Sequence, residues 1–355
     1  MNSPISISTP SPARPGTASH RQSRRHFIQT TLAGAGLLMT APLAAAAKPR
    51  SASDRVTLGK TGIRCSYLAQ GTGFNGYRRS SDHTRLGQDT FTRLLRHSLD
   101  EGVNFLDLAD LYGSHSFVRT ALKGMDRDKY VVLTKIWPRR EDWVTPSKNG
   151  QEEVDRFRQE LDRDQIDICL IHCAVNDKWQ EEFAGIRDGL AELKQKGVVR
   201  AVGVSCHDHG ALKLAAADPW VDVIFARINH KGGQEYACDD TVEAVTATLR
   251  RARANGKAVV GMKIFGAGKL TKPDEKDASL RYVIGNDLVD AMTIGMLSTE
   301  QVDDSVRRIN QTMKQGPKSG GPDSQVRSAT HDPNHCNQPN NNQPNWNGTN
   351  VLRRI

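Results

Sequence analysis

Residues 181–206 read EEFAGIRDGLAELKQKGVVRAVGVSC, and this stretch contains the structural unit on which the fold prediction rests. Residues 181–196 place apolar side chains at helical spacing, and Gly197 follows at a position suited to ending a helix. Residues 201–206 are then a short apolar run, which is typical of a strand covered on both faces. The unit is therefore one helix, one glycine and one buried strand.

The same unit recurs along most of the chain. Helical patterns at 89–101 and 240–255 also end in a glycine before the next apolar run, at Gly102 and Gly256, and a further helix is expected at 299–313. Strands alternating with helices in this way predict a (β/α)8 TIM barrel, with an open doubly wound sheet as the alternative. The predicted strands are 66–71, 104–110, 130–136, 166–172, 201–206, 221–229, 258–264 and 291–296, preceded by a small hairpin at 56–63 on the barrel floor.

The first 47 residues have the features of an export signal. A basic stretch ends in Arg24 and Arg25, a moderately apolar run continues to Leu43, and Ala-x-Ala cleavage sites follow. The paired arginines resemble the twin-arginine signal, which is read by a machinery that exports folded proteins. The apolar run contains glycine and proline and is short for a span of about 20 residues. We expect the twin-arginine export machinery as a partner, a periplasmic location and no stable membrane span after cleavage; an uncleaved anchor is the alternative.

Composition and charge divide the chain into four segments. The sequence predicts a signal at 1–47, a linker at 48–55, the barrel at 56–315 and a disordered tail rich in Asn and Pro at 316–355. The formal net charge is +9, and the four arginines of the signal account for 4 of it, leaving +5. Because this charge is mild and forms no basic block, nucleic acid is not an expected partner.

Polar side chains mark the ends of three consecutive predicted strands. Asp107 and then Tyr112 follow the second strand, Lys135 lies near the end of the third, and His172 ends the fourth. In such a barrel, the carboxyl ends of the strands carry the active site. A lysine close to a tyrosine stabilises its phenolate, an aspartate keeps the lysine charged, and a histidine holds a substrate carbonyl. Together these groups predict general-acid chemistry for reducing a carbonyl group.

Four segments resemble the aldo-keto reductase family. They are NFLDLADLYG at 104–113, TK at 134–135, IDICLIH at 166–172 and GVVRAVGVS at 197–205. The resemblance implies a (β/α)8 barrel that uses NADPH or NADH on a small-molecule carbonyl substrate. It also implies that Tyr112 is the proton donor and that Asp107, Lys135 and His172 support it.

The half of the sequence expected to bind the nucleotide departs from the family pattern. Cys206 replaces a usual asparagine, Phe225 a glutamine, Met262 a stacking aromatic residue and Ser305 an asparagine, and the usual basic residue for a 2′-phosphate is missing. The glycine-rich loop after strand seven is expected to approach the diphosphate with backbone N–H groups, helped by Lys269. The cofactor-binding residues that the resemblance implies are Ser205, Cys206, Met262, Lys263, Gly266, Gly268, Lys269 and Glu300.

These observations favour an NAD(P)-dependent oxidoreductase that interconverts an alcohol and the carbonyl of an aldehyde, ketone or sugar. The alternative is a barrel that keeps the four polar residues but serves as an envelope binding or scaffold protein. A metal ion is not expected, because His172, Cys173, Cys206, His207 and His209 match no standard zinc spacing.

Overall fold

The computed structural model describes residues 48–315. The predicted export signal at 1–47 and the predicted disordered tail at 316–355 lie outside the described residues. Among residues 48–315, no helix has both the length and the apolarity needed to cross a bilayer.

A two-stranded antiparallel hairpin opens the described chain. Strand β1 (Arg55–Thr57) pairs with β2 (Arg64–Ser66), which confirms the predicted hairpin. Leu58 and Ile63, from the connecting loop, are fully buried and pack with side chains from inside the barrel. The hairpin thus closes the end of the barrel opposite the active site.

Eight parallel strands follow, and they are β3 (Leu68–Gly71), β4 (Phe105–Asp107), β5 (Val131–Ile136), β6 (Ile166–Ala174), β7 (Val199–Cys206), β8 (Val223–Arg227), β9 (Ala258–Met262) and β10 (Ala291–Gly295). They form a closed barrel in the order β10-β3-β4-β5-β6-β7-β8-β9. Closure rules out the open-sheet alternative, and each predicted strand overlaps an observed one. Most observed strands are shorter than the predicted runs, because apolar residues extend beyond the paired part of the strand at one end or both.

Helices follow the strands and form the outer layer. Gly102, Gly197 and Gly256 have φ values of +81°, +72° and +79°, so the predicted helix-ending glycines adopt the left-handed conformation that terminates helices. The helices are α1 (Asp82–Arg85), α2 (Gln88–Asp100), α3 (His115–Ala121), α4 (Gln151–Leu161), α5 (Trp179–Glu182), α6 (Ala184–Gln195), α7 (His209–Ala217), α8 (Val242–Ala254), α9 (Pro273–Gly285) and α10 (Thr299–Gln315).

Part of the predicted linker at 48–55 is folded against the barrel and its helices. Ala52 is fully buried, and its backbone N–H donates to Asn310 Oδ1 of α10 at 2.7 Å. Asp54 accepts from the backbone of Arg50 and Ser51 and so closes a local turn. The folded body therefore begins before the hairpin, because Ala52 is buried and bonded to a residue within the last helix.

Candidate active site

Asp107 and Lys135 meet inside the barrel at the carboxyl ends of β4 and β5. Lys135 Nζ donates to Asp107 Oδ1 and, at 2.9 Å, to the carbonyl of Leu108. The second carboxylate oxygen of Asp107 accepts from Thr293 Oγ1 of β10 at 2.9 Å. The Lys135 side chain is 1% exposed, so both charges of the pair are held away from bulk water. Such a pair is fixed in position, since breaking it would leave a buried charge without a partner.

Tyr112 is placed over this ion pair by a short 3-10 helix, Asp110–Tyr112, that follows β4. Its hydroxyl lies 3.5 Å from Lys135 Nζ. The opposite side of the ring is covered by the loop after β3, where a Cβ on Gly73 would stand 2.3 Å from Tyr112 Cζ. A Cβ on Gly76 would also be too close to the ring, at 2.6 Å. Both glycines are therefore needed for the loop to pack on the tyrosine.

His172 completes the group from β6. Its ring is 1% exposed and stands edge-on to the Tyr112 ring, with 5.6 Å between the centroids. No described residue bonds its buried Nδ1. The structure thus brings together all four residues that the sequence assigned to catalysis: Asp107, Tyr112, Lys135 and His172.

Burial controls the protonation states in this group. It raises the pKa of Tyr112 well above its usual value, and the charge of Asp107 adds to the effect. Burial also lowers the pKa of His172 well below its usual value, helped by the positive charges of Lys135 and Arg139. The pKa of Lys135 is lowered by burial too, although Asp107 opposes that shift. That Lys135 stabilises the phenolate of Tyr112 stays a prediction, since the raised pKa comes from burial and from the charges of Asp107 and Cys173.

A groove of about 290 Å³ runs from Tyr112 and Asp107 towards α10. Phe225 and Met262 line it near the tyrosine, and Gln301, Asp304 and Ser305 line its other end. The groove therefore has an apolar end beside the catalytic group and a polar end on the last helix.

Some of the residues predicted to bind a cofactor lie on this groove and others do not. Met262, Lys263 and Gly268 line it. Ser205 is fully buried, and its Oγ is without a hydrogen-bond partner in the described part of the chain. The remaining four are not among the lining residues: Cys206 packs between the barrel and the helices, Gly266 is buried in its loop, and Lys269 and Glu300 are exposed.

The glycine loop departs from expectation in its backbone. Gly266, Ala267 and Gly268 have φ values of +59°, +53° and +86°, which turn the chain sharply. The N–H groups of Gly266 and Gly268 donate within the loop, to Lys263 O at 2.8 Å and Phe265 O at 3.1 Å, and that of Lys269 donates to Gly266 O at 3.2 Å. That the loop binds a diphosphate stays a prediction, and in this conformation these three amides donate within the loop.

Sequence reasoning missed other residues of the groove. Lys276, in the first turns of α9, lines it in the position predicted for Lys269, and Phe74 lines it from the loop after β3. A Cβ on Gly268 would stand 3.2 Å from the Phe74 ring, so Phe74 reaches across to the glycine loop. Only a few residues separate the glycine loop from α9, so the sequence placed Lys276 in this region. The structure was needed to show that Lys276 lines the groove.

Potential metal ligands within residues 48–315 meet elsewhere. His97, Glu101 and Asp303 bring ligand atoms within 4.8 Å of one another at the surface. Among the residues weighed for a metal site in the sequence, His209 instead bonds Asp240 at 2.6 Å and Thr248 at 3.0 Å.

Residues 71–315 match the sequence model of the aldo/keto reductase family. The chain belongs to the aldo/keto reductase family. Membership makes this protein an oxidoreductase of the NAD(P)-dependent carbonyl type. The barrel and the strand-end residues thereby agree with the resemblance that the sequence motifs indicated.

Individual relatives are distant. L-galactose dehydrogenase of Arabidopsis thaliana is 23% identical over 290 residues, which cover 72% of this chain and 87% of that enzyme. The structure of an aldo-keto reductase from Pseudomonas aeruginosa has a TM-score of 0.61 at 22% identity, covering 74% of this chain and 98% of the other. An aldo-keto reductase from Klebsiella pneumoniae, solved in complex with NADPH, has a TM-score of 0.55 at 18% identity, covering 74% and 95%. Such structures share the fold with this protein.

Proposed function

We propose that this aldo/keto reductase interconverts a carbonyl group and an alcohol with NAD(P)H, and that Tyr112 is its general acid and base. The observation that carries the proposal is the buried contact of Tyr112 with Lys135 and His172. The Tyr112 hydroxyl is 3.5 Å from Lys135 Nζ, and its ring is 5.6 Å from the His172 ring. Reduced nicotinamide, when bound, supplies the hydride.

The protonation states support the direction of proton transfer. Because the pKa of Tyr112 is raised, the phenol keeps its proton at neutral pH and donates it only when negative charge develops on the substrate oxygen. His172 is neutral because its pKa is lowered, so it acts as a hydrogen-bond donor to that oxygen and not as the acid. Lys135, held by Asp107, supplies a fixed positive charge beside the phenol and stabilises the phenolate that remains.

Along the groove, the apolar, cationic and polar side chains follow the same order as the ring, diphosphate and far end of a dinucleotide. Phe225 and Met262 offer apolar contact beside Tyr112, where a flat ring would lie. Lys263 and Lys276 line the groove between the catalytic group and α10, where they would face a diphosphate. Ser305 lines the far end with Gln301 and Asp304. We propose NADPH or NADH as the cofactor; the family and the NADPH-bound relative favour NADPH.

Hydride transfer is tested by isotope labelling. Full-length protein is incubated with NADPH or NADH that carries two deuterium atoms at C4, together with a panel of aldehydes, ketones and sugars, and the alcohols are analysed by mass spectrometry. We expect one deuterium in the alcohol at the former carbonyl carbon. Absence of label with both nucleotides, while nucleotide or carbonyl compound still binds, would favour the envelope binding protein over the enzyme.

We propose further that the protein is exported through the twin-arginine pathway and works in the periplasm. The support lies in the sequence, where Arg24 and Arg25 precede an apolar run and Ala-x-Ala sites. The pathway suits a protein that folds around a nucleotide before it leaves the cytoplasm.

Export depends on both arginines in this proposal. Replacing Arg24 and Arg25 with lysine keeps the charge but removes the paired guanidinium groups. The precursor should then stay in the cytoplasm, as measured by fractionation and immunoblotting, whereas Arg14→Lys serves as the matched control and should be exported. Normal export of the double variant would contradict the twin-arginine assignment.

A further inference from the structure

Several buried polar atoms without partners lie on side chains that neighbour His172. Of the thirteen such atoms among residues 48–315, five are Trp137 Nε1, Arg139 Nη2, Trp143 Nε1, His172 Nδ1 and His207 Nε2. None of these five side chains lines the nucleotide groove. Buried polar groups in folded proteins are almost always hydrogen-bonded, so a group of unsatisfied ones calls for a partner that the chain does not supply.

The five side chains form a continuous shell around His172. The Trp137 ring lies 5.6 Å from the His172 ring and 6.1 Å from the Trp143 ring, and the His172 and His207 rings are 6.4 Å apart. Arg139 Nη1 donates to the carbonyl of Cys173, the residue after His172, at 2.9 Å. The unsatisfied groups therefore lie on side chains that neighbour the residue expected to bind the substrate oxygen.

Positive charge dominates this shell. The pKa values of His172 and His207 are both lowered well below the usual value, first by burial and then by nearby cations. Those cations are Lys135, Arg139, Arg227 and Lys263.

The carboxylates of Asp107 and Asp239 are each paired with a cation. Asp107 accepts from Lys135 and Thr293. Asp239 Oδ1 accepts from Arg227, whose guanidinium also donates to His207 O at 2.7 Å, while Asp239 Oδ2 has no hydrogen-bond partner among the described residues. Arg139, by contrast, forms its described polar contact with a backbone carbonyl. A further negative charge would therefore be favoured beside Arg139.

Arg139 is held in a geometry suited to binding an anion. Its guanidinium lies 5.0 Å from the centroid of the Phe183 ring and 6.0 Å from that of Trp137. One edge is fixed by the Cys173 carbonyl, and Nη2 remains without a partner. A planar, pre-oriented guanidinium matches the geometry of a carboxylate.

We infer that the substrate of this reductase is an anionic carbonyl compound and that Arg139 binds its carboxylate while the carbonyl faces Tyr112 and His172. The inference rests on the proposed carbonyl chemistry and adds the substrate class. A neutral polyol would need acceptors as well as donors around it, whereas Trp137, Trp143 and Arg139 offer N–H donors. Arg139 here determines substrate specificity and takes no part in proton transfer.

The test compares two aldehydes that differ only in charge, 4-carboxybenzaldehyde and its neutral amide 4-carbamoylbenzaldehyde. Full-length protein and the variants Arg139→Gln, Arg139→Lys and Arg140→Gln are measured for binding by calorimetry and for kcat/KM with NADPH and NADH. Arg140 is exposed and adjacent in sequence, so its variant is the matched control.

We expect the wild type to favour the carboxylate by about tenfold to a hundredfold, the range for a hydrogen bond to a charged group. Arg139→Gln should bring the ratio close to one through a higher KM for the carboxylate, and circular dichroism and thermal unfolding show whether the variant is folded. Arg139→Lys should keep part of the preference, and Arg140→Gln all of it.

Equal binding and turnover of the two aldehydes by the wild type would overturn the inference and leave the reductase proposal intact. A preference that survives in Arg139→Gln would overturn the role of Arg139. Preferential binding of the carboxylate without turnover by either nucleotide would instead contradict the proposed reduction and support the anion site.

Discussion

The catalytic half and the nucleotide half of this site are built in different ways. Asp107, Lys135 and His172 lie on adjacent barrel strands, and the register of β4, β5 and β6 fixes where each side chain points. The nucleotide groove takes about half of its lining from the loop after β9 and from helices α9 and α10. The catalytic half keeps the family pattern. The nucleotide half departs from it on strands, at Cys206, Phe225 and Met262, as well as at Ser305 of α10. A loop such as the one after β9 can in addition be rebuilt without disturbing the barrel.

The largest effect is expected when the catalytic half loses its central charge. Lys135→Met should lower kcat by at least about a hundredfold, the lower range for positioned acid–base catalysis. It should also lower the free energy of unfolding by about 3–5 kcal/mol, because Asp107 is left as a buried charge without its partner. Steady-state kinetics and thermal or denaturant unfolding measure the two effects.

A second variant separates catalysis from stability. Asp107→Asn combined with Lys135→Met removes both charges of the pair and should recover much of the lost stability, while kcat stays low. If the double variant regained activity along with stability, the lysine would be structural and the contrast between the two halves would be lost.

A smaller effect is expected in the nucleotide half. Lys276→Ala should weaken nucleotide binding by about tenfold, roughly the value of one charge-assisted hydrogen bond. Lys269→Ala should change the Kd little, since Lys269 is exposed and does not line the groove. Both dissociation constants can be measured by quenching of protein fluorescence. The reverse order of effects would show that the glycine loop binds the nucleotide in another conformation.

The sequence predicted the catalytic half well for a physical reason. Apolar runs identify strands, and in a barrel the end of each strand has a known place, so Asp107, Lys135 and His172 could be brought together without coordinates. Tyr112 followed because only a few residues separate it from β4, and the 3-10 helix there confirms its position above Lys135.

The nucleotide half could not be predicted to the same depth. Ala267 adopts φ +53° between two glycines, and this turn directs Lys269 outwards while α9 presents Lys276 to the groove. A left-handed conformation at an alanine has no sequence signature, so the sequence could not show that Lys276 lines the groove and Lys269 does not. Phe74 was missed because its contact with Gly268 joins loops that are far apart in the chain.

The central claim is that Tyr112 gives the substrate its proton, and Tyr112→Phe tests it most directly. The change removes one hydroxyl and keeps the ring that packs beneath Gly73 and beside His172. Single-turnover reduction of an aldehyde, together with nucleotide binding by the same variant, should be measured against the wild type. The account predicts a rate lower by at least about a hundredfold with an unchanged nucleotide Kd. An undiminished rate would contradict it and remove Tyr112 from the mechanism.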